Sequence, residues 1–438
     1  MLGFGVFMEE KIENTEKLTL IERIKGNSYG RISLSFAKWF IPSIIVGLAV
    51  GVVGALFGKA LSFATTFRTG HPFMVLLLPI AGLLLVFVYN ITKMSDDKGT
   101  NTIILAARAE SEVKFRQAPL IFIATFITHL FGGSAGREGA ALQIGGALVS
   151  PLKKLFKMDE HDGSILIMCG MSAGFAALFG TPVASAVFAV EVTIVAAAQY
   201  SALVPCMISG VTSAMTAKAL GAEAESFIVS GVPTLSAENA VQMLLVIVLG
   251  MACAAVSVLF CSVIHKSGEL YAKYIKNPYF RVAAGGLIVA VLTVLLGTTD
   301  YNGAGMDVIK RAFTGNADPM AFLLKMLFTA LTLGCGFKGG EIVPSFFVGA
   351  TFGCVFGGLI GLDPSFGAAV GLIAVFCGVT NCPFASIILS CELFGMNGLP
   401  FYAAAIAISY MLSGYTGLYS AQKFHQSKAK PVKHHNNS

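Results

Sequence analysis

Charged residues are scarce in this sequence. Asp, Glu, Lys and Arg make up 12% of the 438 residues, whereas hydrophobic residues make up 55%. Because a soluble domain contains about 25% charged residues, this composition excludes an ordinary soluble protein. Long apolar runs replace the alternating pattern of a membrane β-barrel, so the sequence predicts an all-α polytopic membrane protein. The apolar runs cover residues 39–62, 72–92, 119–131, 165–198, 201–217, 241–264, 282–297, 321–335, 343–361, 367–395 and 401–413.

Motifs for disulfide, zinc or covalent chemistry are also lacking. The nine cysteines lie in or beside apolar runs and include no Cys-x-x-Cys pair, so we interpret them as small buried apolar residues. No HExxH motif is present, and His129 is the only histidine inside an apolar run. The sequence therefore predicts neither an enzyme nor a metal or cofactor site, and its composition suggests no nucleic-acid partner.

Positive charge collects at the ends of the chain. The net charge is +6, and the last residues, QKFHQSKAKPVKHHNNS, contain four lysines and no acid. By the positive-inside rule we expect both termini to be cytoplasmic in a protein of the plasma membrane. We therefore predict a cytoplasmic N-terminal segment over residues 1–38 and a basic cytoplasmic tail over 422–438.

The chain contains an internal repeat. Three pairs of segments match in the same order, at offsets of 201, 203 and 206 residues. The pairs are TPVASAVFAVEV (181–192) with CPFASIILSCEL (382–393), GREGAALQIGGA (136–147) with GEIVPSFFVGA (340–350), and GTNTII (99–104) with GMDVI (305–309). These matches predict a first membrane repeat over 39–217, a connector over 218–240 and a second repeat over 241–421. In transporters built from such repeats, the substrate binds where broken helices meet near the bilayer midplane.

Four glutamates interrupt the apolar segments, and each is a candidate functional residue because an intramembrane charge is costly. Glu191 and Glu392 occupy equivalent repeat positions, where a structural role in accepting hydrogen bonds at a helix end is favoured. For Glu341, a local structural role or an ion pair with Lys338 is favoured. Glu138 opens a predicted helix, whose free N–H groups attract anions. Glu138 is thus either a tethered anion that links proton and anion binding, or a helix cap paired with Arg137.

Around these glutamates the sequence resembles the CLC family of chloride channels and anion/proton antiporters. The resemblance runs in order from about residue 40 to 420. It rests on GREG (136–139), KGTNTI (98–103), GFKGGEIVP (336–344), LFGTPVASAVFAVEV (178–192) and GLYS (417–420).

This resemblance implies a CLC-type inverted repeat of tilted and broken helices, a pore in each subunit and a homodimer in the lipid bilayer. Glu138 would be the gating and proton-transfer glutamate. Tyr419 would close the inner side of the anion site, and Ile342 and Val343 would contribute backbone amides. The full set of implied anion-binding residues is Thr100, Asn101, Gly136, Arg137, Gly139, Ile342, Val343 and Tyr419.

Departures from the common CLC pattern favour the bacterial fluoride/proton branch of the family. Asn101 in the first motif, Gly-Gly-Glu (339–341) in the third and Gly-Thr-Pro (180–182) are similar to that branch. Val192 replaces the internal proton-transfer glutamate of the chloride/proton antiporters, a loss that the passive channels of the family share with the fluoride branch. Val343, where the fluoride branch has threonine, argues against that branch. The predicted function is proton-coupled fluoride (or chloride) antiport gated by a protonatable glutamate. The alternative is a passive voltage-gated-type chloride channel.

Overall fold

A computed structural model describes residues 28–195, 197 and 199–428. The predictions for residues 1–27 and 429–438 lie outside the described residues. The first half of the described chain is helical, and its helices are α1 (Ser28–Gly70), α2 (Leu78–Ile91), α3 (Thr100–Ala107), α4 (Gln117–Leu130), α5 (Glu138–Leu148), α6 (Leu152–Leu155), α7 (Glu160–Phe179), α8 (Pro182–Glu191) and α9 (Leu203–Ala219).

The second half presents a matching series of helices. They are α10 (Ala240–Tyr274), α11 (Pro278–Leu296), α12 (Met306–Phe313), α13 (Ala321–Cys335), α14 (Ile342–Ile360), α15 (Pro364–Thr380), α16 (Pro383–Phe394) and α17 (Leu399–Leu412). In order, α10 to α17 correspond to α1, α2, α3, α4, α5, α7, α8 and α9. The glycines that precede α3 and α12, Gly99 and Gly305, both have positive φ. This correspondence matches the repeat found in the sequence.

Two of the apolar runs are each divided into two helices by the backbone. In run 165–198, Gly180 ends α7 in the left-handed region at φ 71°, and Pro182 begins α8. In run 367–395, Asn381 ends α15 at φ 56°, and Pro383 begins α16. Glycine and asparagine tolerate this conformation, and proline fits the first turn of a helix but not its interior. The two halves are therefore broken at equivalent places.

Six helices of the described chain are long and apolar enough to cross a membrane. They span Phe36–Gly70, Pro72–Ile91, Glu160–Phe179, Ala237–Tyr274, Pro278–Leu296 and Ile342–Ile360. The apolar window of α7 is entirely buried, whereas α1, α2 and α11 carry large exposed apolar side chains that suit contact with lipid. The protein is an all-α multi-pass membrane protein.

Glycines bring the interior helices into backbone contact. A Cβ atom on Gly145 of α5 would overlap the carbonyl oxygen of Gly170 in α7. In the second half, a Cβ atom on Gly349 of α14 would overlap the carbonyl oxygen of Gly371 in α15. Small residues at helix crossings allow this close approach in membranes. The same packing device therefore fixes α5 and α14, the two helices whose N-termini form the candidate site.

The nine cysteines are unpaired thiols, of which eight are buried. Within the described residues, no group of three or more potential ligands could hold a metal ion. A short parallel pair of strands, β1 (Ile194–Val195) and β2 (Lys423–Phe424), joins the end of α8 to the chain beyond α17. The first residues of the predicted basic tail are therefore docked on the membrane-spanning part.

Candidate functional site

The N-termini of α5 and α14 meet at a pair of glycines. Gly136 N–H donates to the Gly340 carbonyl oxygen at 2.6 Å, and Gly340 N–H donates to the Gly136 carbonyl oxygen at 2.8 Å. This antiparallel bridge joins equivalent points of the two repeats. A Cβ atom on Gly139 would lie 2.9 Å from the Gly340 Cα atom, so the contact depends on glycine. Two helix N-termini, each with free N–H groups and a partial positive charge, thus converge on one place.

Glu138 lies at this point of convergence. Its side chain is 0% exposed. One carboxylate oxygen accepts a hydrogen bond from Arg137 N–H at 3.0 Å, and the other accepts one from Arg137 Nε at 3.2 Å. The structure therefore places a buried carboxylate at the start of a helix, where anions are favoured. The same carboxylate also forms the pair with Arg137. The two interpretations of Glu138 do not exclude each other.

Arg137 has a second carboxylate partner that the sequence did not single out. Its Nη2 atom lies 2.5 Å from Glu225 Oε1, and the two side chains are 17% and 16% exposed. Glu225 belongs to the connector between the repeats. In the sequence, Glu225 is one acidic residue in a polar stretch, and any solvated linker has such residues. Nothing in the sequence therefore indicated its contact with Arg137.

Thr100 packs directly against α5. Its buried hydroxyl donates to the Gly139 carbonyl oxygen at 3.5 Å and accepts from Gln143 Nε2 at 3.2 Å. Asn101 is directed elsewhere, because its side-chain oxygen accepts a hydrogen bond from Ala421 N–H at 2.9 Å. Thr100 thus lies at the meeting of α3 and α5, while Asn101 holds the segment that carries Tyr419.

Tyr419 places an unpaired hydroxyl in the interior. The residue is 5% exposed, and its hydroxyl has no hydrogen-bond partner among the described residues. Tyr419 lies in the same interior region as Glu138 and Glu341. Ile342 and Val343 are fully buried in the first turn of α14, where backbone N–H groups are free. The predicted anion-binding residues therefore lie in one interior region. Asn101 differs from the others because its side-chain oxygen already accepts a hydrogen bond from Ala421 N–H.

Glu341 does not form the ion pair with Lys338 that was one of its interpretations. No nitrogen–oxygen contact of 4 Å joins the two residues, and the Lys338 amine instead lies 4.8 Å from the centre of the Tyr89 ring. One carboxylate oxygen of Glu341 is buried without a hydrogen-bond partner among the described residues. Lys338 therefore lies over the face of an aromatic ring, a position that favours a cation.

Glu191 and Glu392 make reciprocal contacts between the repeats. Glu191 accepts hydrogen bonds from Phe384 N–H at 3.2 Å and Ala385 N–H at 2.8 Å, at the start of α16. Glu392 accepts hydrogen bonds from Val183 N–H at 3.0 Å and Ala184 N–H at 2.8 Å, at the start of α8. Each carboxylate therefore caps a helix of the other repeat, where negative charge is favourable.

These caps predict a loss of stability on removal of either charge. Glu191→Gln keeps the side-chain size but leaves one oxygen to face two N–H donors. We expect the free energy of unfolding to fall by about 2 kcal/mol, because a charge-assisted hydrogen bond and its dipole interaction are lost. Thermal unfolding in detergent measures this loss of stability. We expect a similar loss for Glu392→Gln and none for the control Glu269→Gln, whose side chain is exposed. An unchanged transition in Glu191→Gln would contradict a stabilising role.

A cavity of about 540 Å³ lies in front of Arg137. It is lined by charged groups from α1, α4, the connector and α12, among them Lys59, Arg68, His129, Glu223, Glu225 and Lys310. Arg137 faces this cavity, whereas Glu138, the next residue, is fully buried behind it. We call this cavity the vestibule; Glu138 is not among the described residues that line it.

Comparison with known proteins places this chain in a family. The family model described as voltage gated chloride channel matches residues 81–414. The chloride/fluoride channel protein of Pseudomonas syringae pv. tomato is 36% identical over 399 residues, which cover 90% of this chain and 88% of that protein. The H(+)/Cl(−) exchange transporter ClcA of Vibrio campbellii is 25% identical over 397 residues, covering 84% of each chain.

Solved structures agree with this placement. The crystal structure of a CLC-type fluoride/proton antiporter is similar with a TM-score of 0.85 and 32% identity, covering 91% of this chain and 99% of the other. A slow cyanobacterial Cl−/H+ antiporter has the same fold at 18% identity, with a TM-score of 0.75 over 86% of this chain and 94% of the other. The expected CLC-type fold and the likeness to the fluoride/proton branch are confirmed. The chain belongs to the voltage gated chloride channel family, the CLC family.

Proposed function

We propose that this protein exchanges fluoride for protons across a membrane, with Glu138 as both gate and proton carrier. Anion transport is the activity that the names of the Pseudomonas and Vibrio relatives share. The observation that carries the proposal is the buried Glu138 carboxylate at the convergence of two helix N-termini. A carboxylate there competes with a transported anion for the same N–H groups. When Glu138 takes up a proton, it loses the charge that held it in this position, so proton and anion binding become linked.

The anion site would lie among the free N–H groups of α5 and α14 and the hydroxyl of Tyr419. The set consists of Gly136, Arg137, Gly139, Ile342, Val343, Tyr419, Thr100 and Asn101. Fluoride is small and strongly hydrated, so its site must offer strong donors to offset dehydration. The buried Tyr419 hydroxyl, which has no hydrogen-bond partner within the described part of the chain, is such a donor. Fluoride is favoured over chloride because a chloride/fluoride channel protein and a fluoride/proton antiporter are both over 30% identical to this chain.

A passive chloride channel is the second candidate function. Val192, at the end of α8, is fully buried and cannot carry a proton, although chloride/proton antiporters of the family have a glutamate there. Its carbonyl oxygen accepts a hydrogen bond from Gln422 Nε2 at 3.2 Å. In the antiport proposal, the Glu138 side chain itself, or water, carries the proton inward.

The protein would act as a homodimer in the plasma membrane, with a separate pore in each subunit and with cytoplasmic termini. Halide anions and protons would be its ligands. Glu191, Glu341 and Glu392 would be structural acids within the membrane domain.

Flux measurements in liposomes test the proposal. Purified protein is reconstituted, a fluoride gradient is imposed, and internal pH and fluoride are followed together; a parallel set uses chloride. We expect fluoride flux to drive protons in the opposite direction, with chloride transported more slowly. Electrogenic halide flux without proton movement would instead establish the channel. Equal rates for both anions would favour a general halide antiporter.

A further inference from the structure

We propose that Glu225 is a positioning residue for the gate: by holding Arg137, it sets how strongly Arg137 holds Glu138. This inference rests on the proposed function, because it assumes that the charge state of Glu138 controls anion flux. It concerns a connector residue outside both repeats, which acts on the gate through the arginine beside it.

The three side chains form a continuous chain of ion pairs. Arg137 uses Nε for Glu138 Oε1 at 3.2 Å and Nη2 for Glu225 Oε1 at 2.5 Å. The two carboxylates therefore bind different nitrogens of one guanidinium. The pair on the Glu225 side is the shorter one. It also faces the vestibule, whereas the Glu138 pair is buried.

The connector is anchored where it carries Glu225. Glu225 N–H donates to the Phe179 carbonyl oxygen at the end of α7, at 3.1 Å. Two residues later, Phe227 is buried and stacks on Phe313 of α12, with 4.5 Å between ring centres. Phe227 N–H also donates to the Leu393 carbonyl oxygen at 3.0 Å. Glu225 is thus held in position by contacts with both halves of the protein, unlike a residue in a solvated linker.

The charge on Glu225 weakens the hold of Arg137 on Glu138. Two carboxylates on one guanidinium repel each other, so the net electrostatic stabilisation of a charged Glu138 is smaller while Glu225 is also charged. Removing the charge at Glu225 leaves Glu138 as the only carboxylate on Arg137. The Glu138 carboxylate then stays charged, and in its blocking position, at a lower pH than in the wild type.

Other charged groups surround the three linked side chains of Glu138, Arg137 and Glu225. Glu341 and Tyr419 lie in the same interior region as Glu138. Asp300 also lines the vestibule but pairs with Arg311. The remaining charged or titratable groups that line the vestibule are Lys59, Arg68, His129, Glu223, Asp307 and Lys310. Each variant below changes one charged residue and keeps all the others, so a difference between a variant and the wild type reports the change at the substituted position.

The test compares Glu225→Gln with Glu223→Gln in liposomes. The amide oxygen introduced by Glu225→Gln can still accept from Arg137, so this variant removes charge while keeping the contact. Glu223 lines the same vestibule two residues away and is exposed, which makes it a matched control. We expect Glu225→Gln to shift the pH of half-maximal anion flux by about one unit towards acid, since a partner carboxylate is removed. Glu223→Gln should leave that pH unchanged.

Two outcomes would overturn the inference. In the first, the curve of anion flux against pH is the same for Glu225→Gln and the wild type; in the second, Glu223→Gln shifts the pH of half-maximal flux by as much as Glu225→Gln does. Glu225→Asp keeps the charge at a shorter reach and should restore most of the wild-type curve. A shift in Glu225→Asp as large as that in Glu225→Gln would assign the effect to side-chain length, and would also overturn it. Failure of the proposed function is distinct, because anion flux in the wild type would then not change with pH, or Glu138→Gln would keep full proton coupling.

Discussion

Glu138→Gln is expected to abolish proton movement coupled to anion flux. Glutamine matches glutamate in size and can fill the same position at the start of α5. Its amide, however, cannot bind and release a proton near neutral pH as a carboxylate can. Anion flux can persist or stop, depending on whether the neutral side chain still blocks the path. Internal pH and fluoride followed together in liposomes would report both quantities, and proton movement should fall to the leak of protein-free liposomes.

The matched control for this variant is Glu223→Gln. It makes the same chemical change on the wall of the vestibule in front of Arg137, but at an exposed side chain. We expect coupling in this control to equal that of the wild type. If Glu138→Gln retained full coupling, Glu138 would be removed from the mechanism, and another buried carboxylate would have to carry the proton.

Gly340→Ala should have the second large effect, a loss of transport. The added methyl carbon would lie 2.6 Å from the Gly139 backbone nitrogen and 3.1 Å from its Cα atom. The bridge between Gly136 and Gly340 would have to open, and the N–H groups at the start of α5 would be covered. Overpacking of this kind costs about 1–3 kcal/mol, so we expect a less stable protein as well as an inactive one.

Gly268→Ala is the control for this substitution. Gly268 lies in α10, and a Cβ atom there would meet no atom within 4 Å, so alanine should preserve flux and thermal stability. Flux per reconstituted protein and thermal unfolding in detergent measure the two effects separately. Normal flux through Gly340→Ala would mean that the junction of α5 and α14 does not lie on the anion path.

The sequence predicted the repeat because its three matching pairs keep both order and spacing, and the helices follow that correspondence. It also placed Glu138 at a helix start, since a glycine-rich stretch precedes an apolar run. It could not predict that Glu191 and Glu392 cap each other's repeats. Self-similarity shows that two positions are equivalent, but it does not show which of them touch. Contacts across repeats depend on how the halves pack.

Glu225 illustrates a second limit. Its partner Arg137 lies 88 positions earlier in the chain, and neither hydrophobic periodicity nor a motif connects the two. The connector acquires its position only from the burial of Phe227 and from backbone hydrogen bonds to Phe179 and Leu393. Long-range contacts of this kind follow from tertiary packing, which local sequence does not encode.

The glycine contacts between α5 and α7, and between α14 and α15, have a mechanical consequence. Where backbone touches backbone, no side chain is present to change rotamer and absorb a sliding movement. Each helix that carries one of the converging N-termini is therefore packed tightly against its neighbour in the same half. We expect the proposed anion path between α5 and α14 to widen by movement of individual side chains rather than by sliding of these helices against α7 and α15.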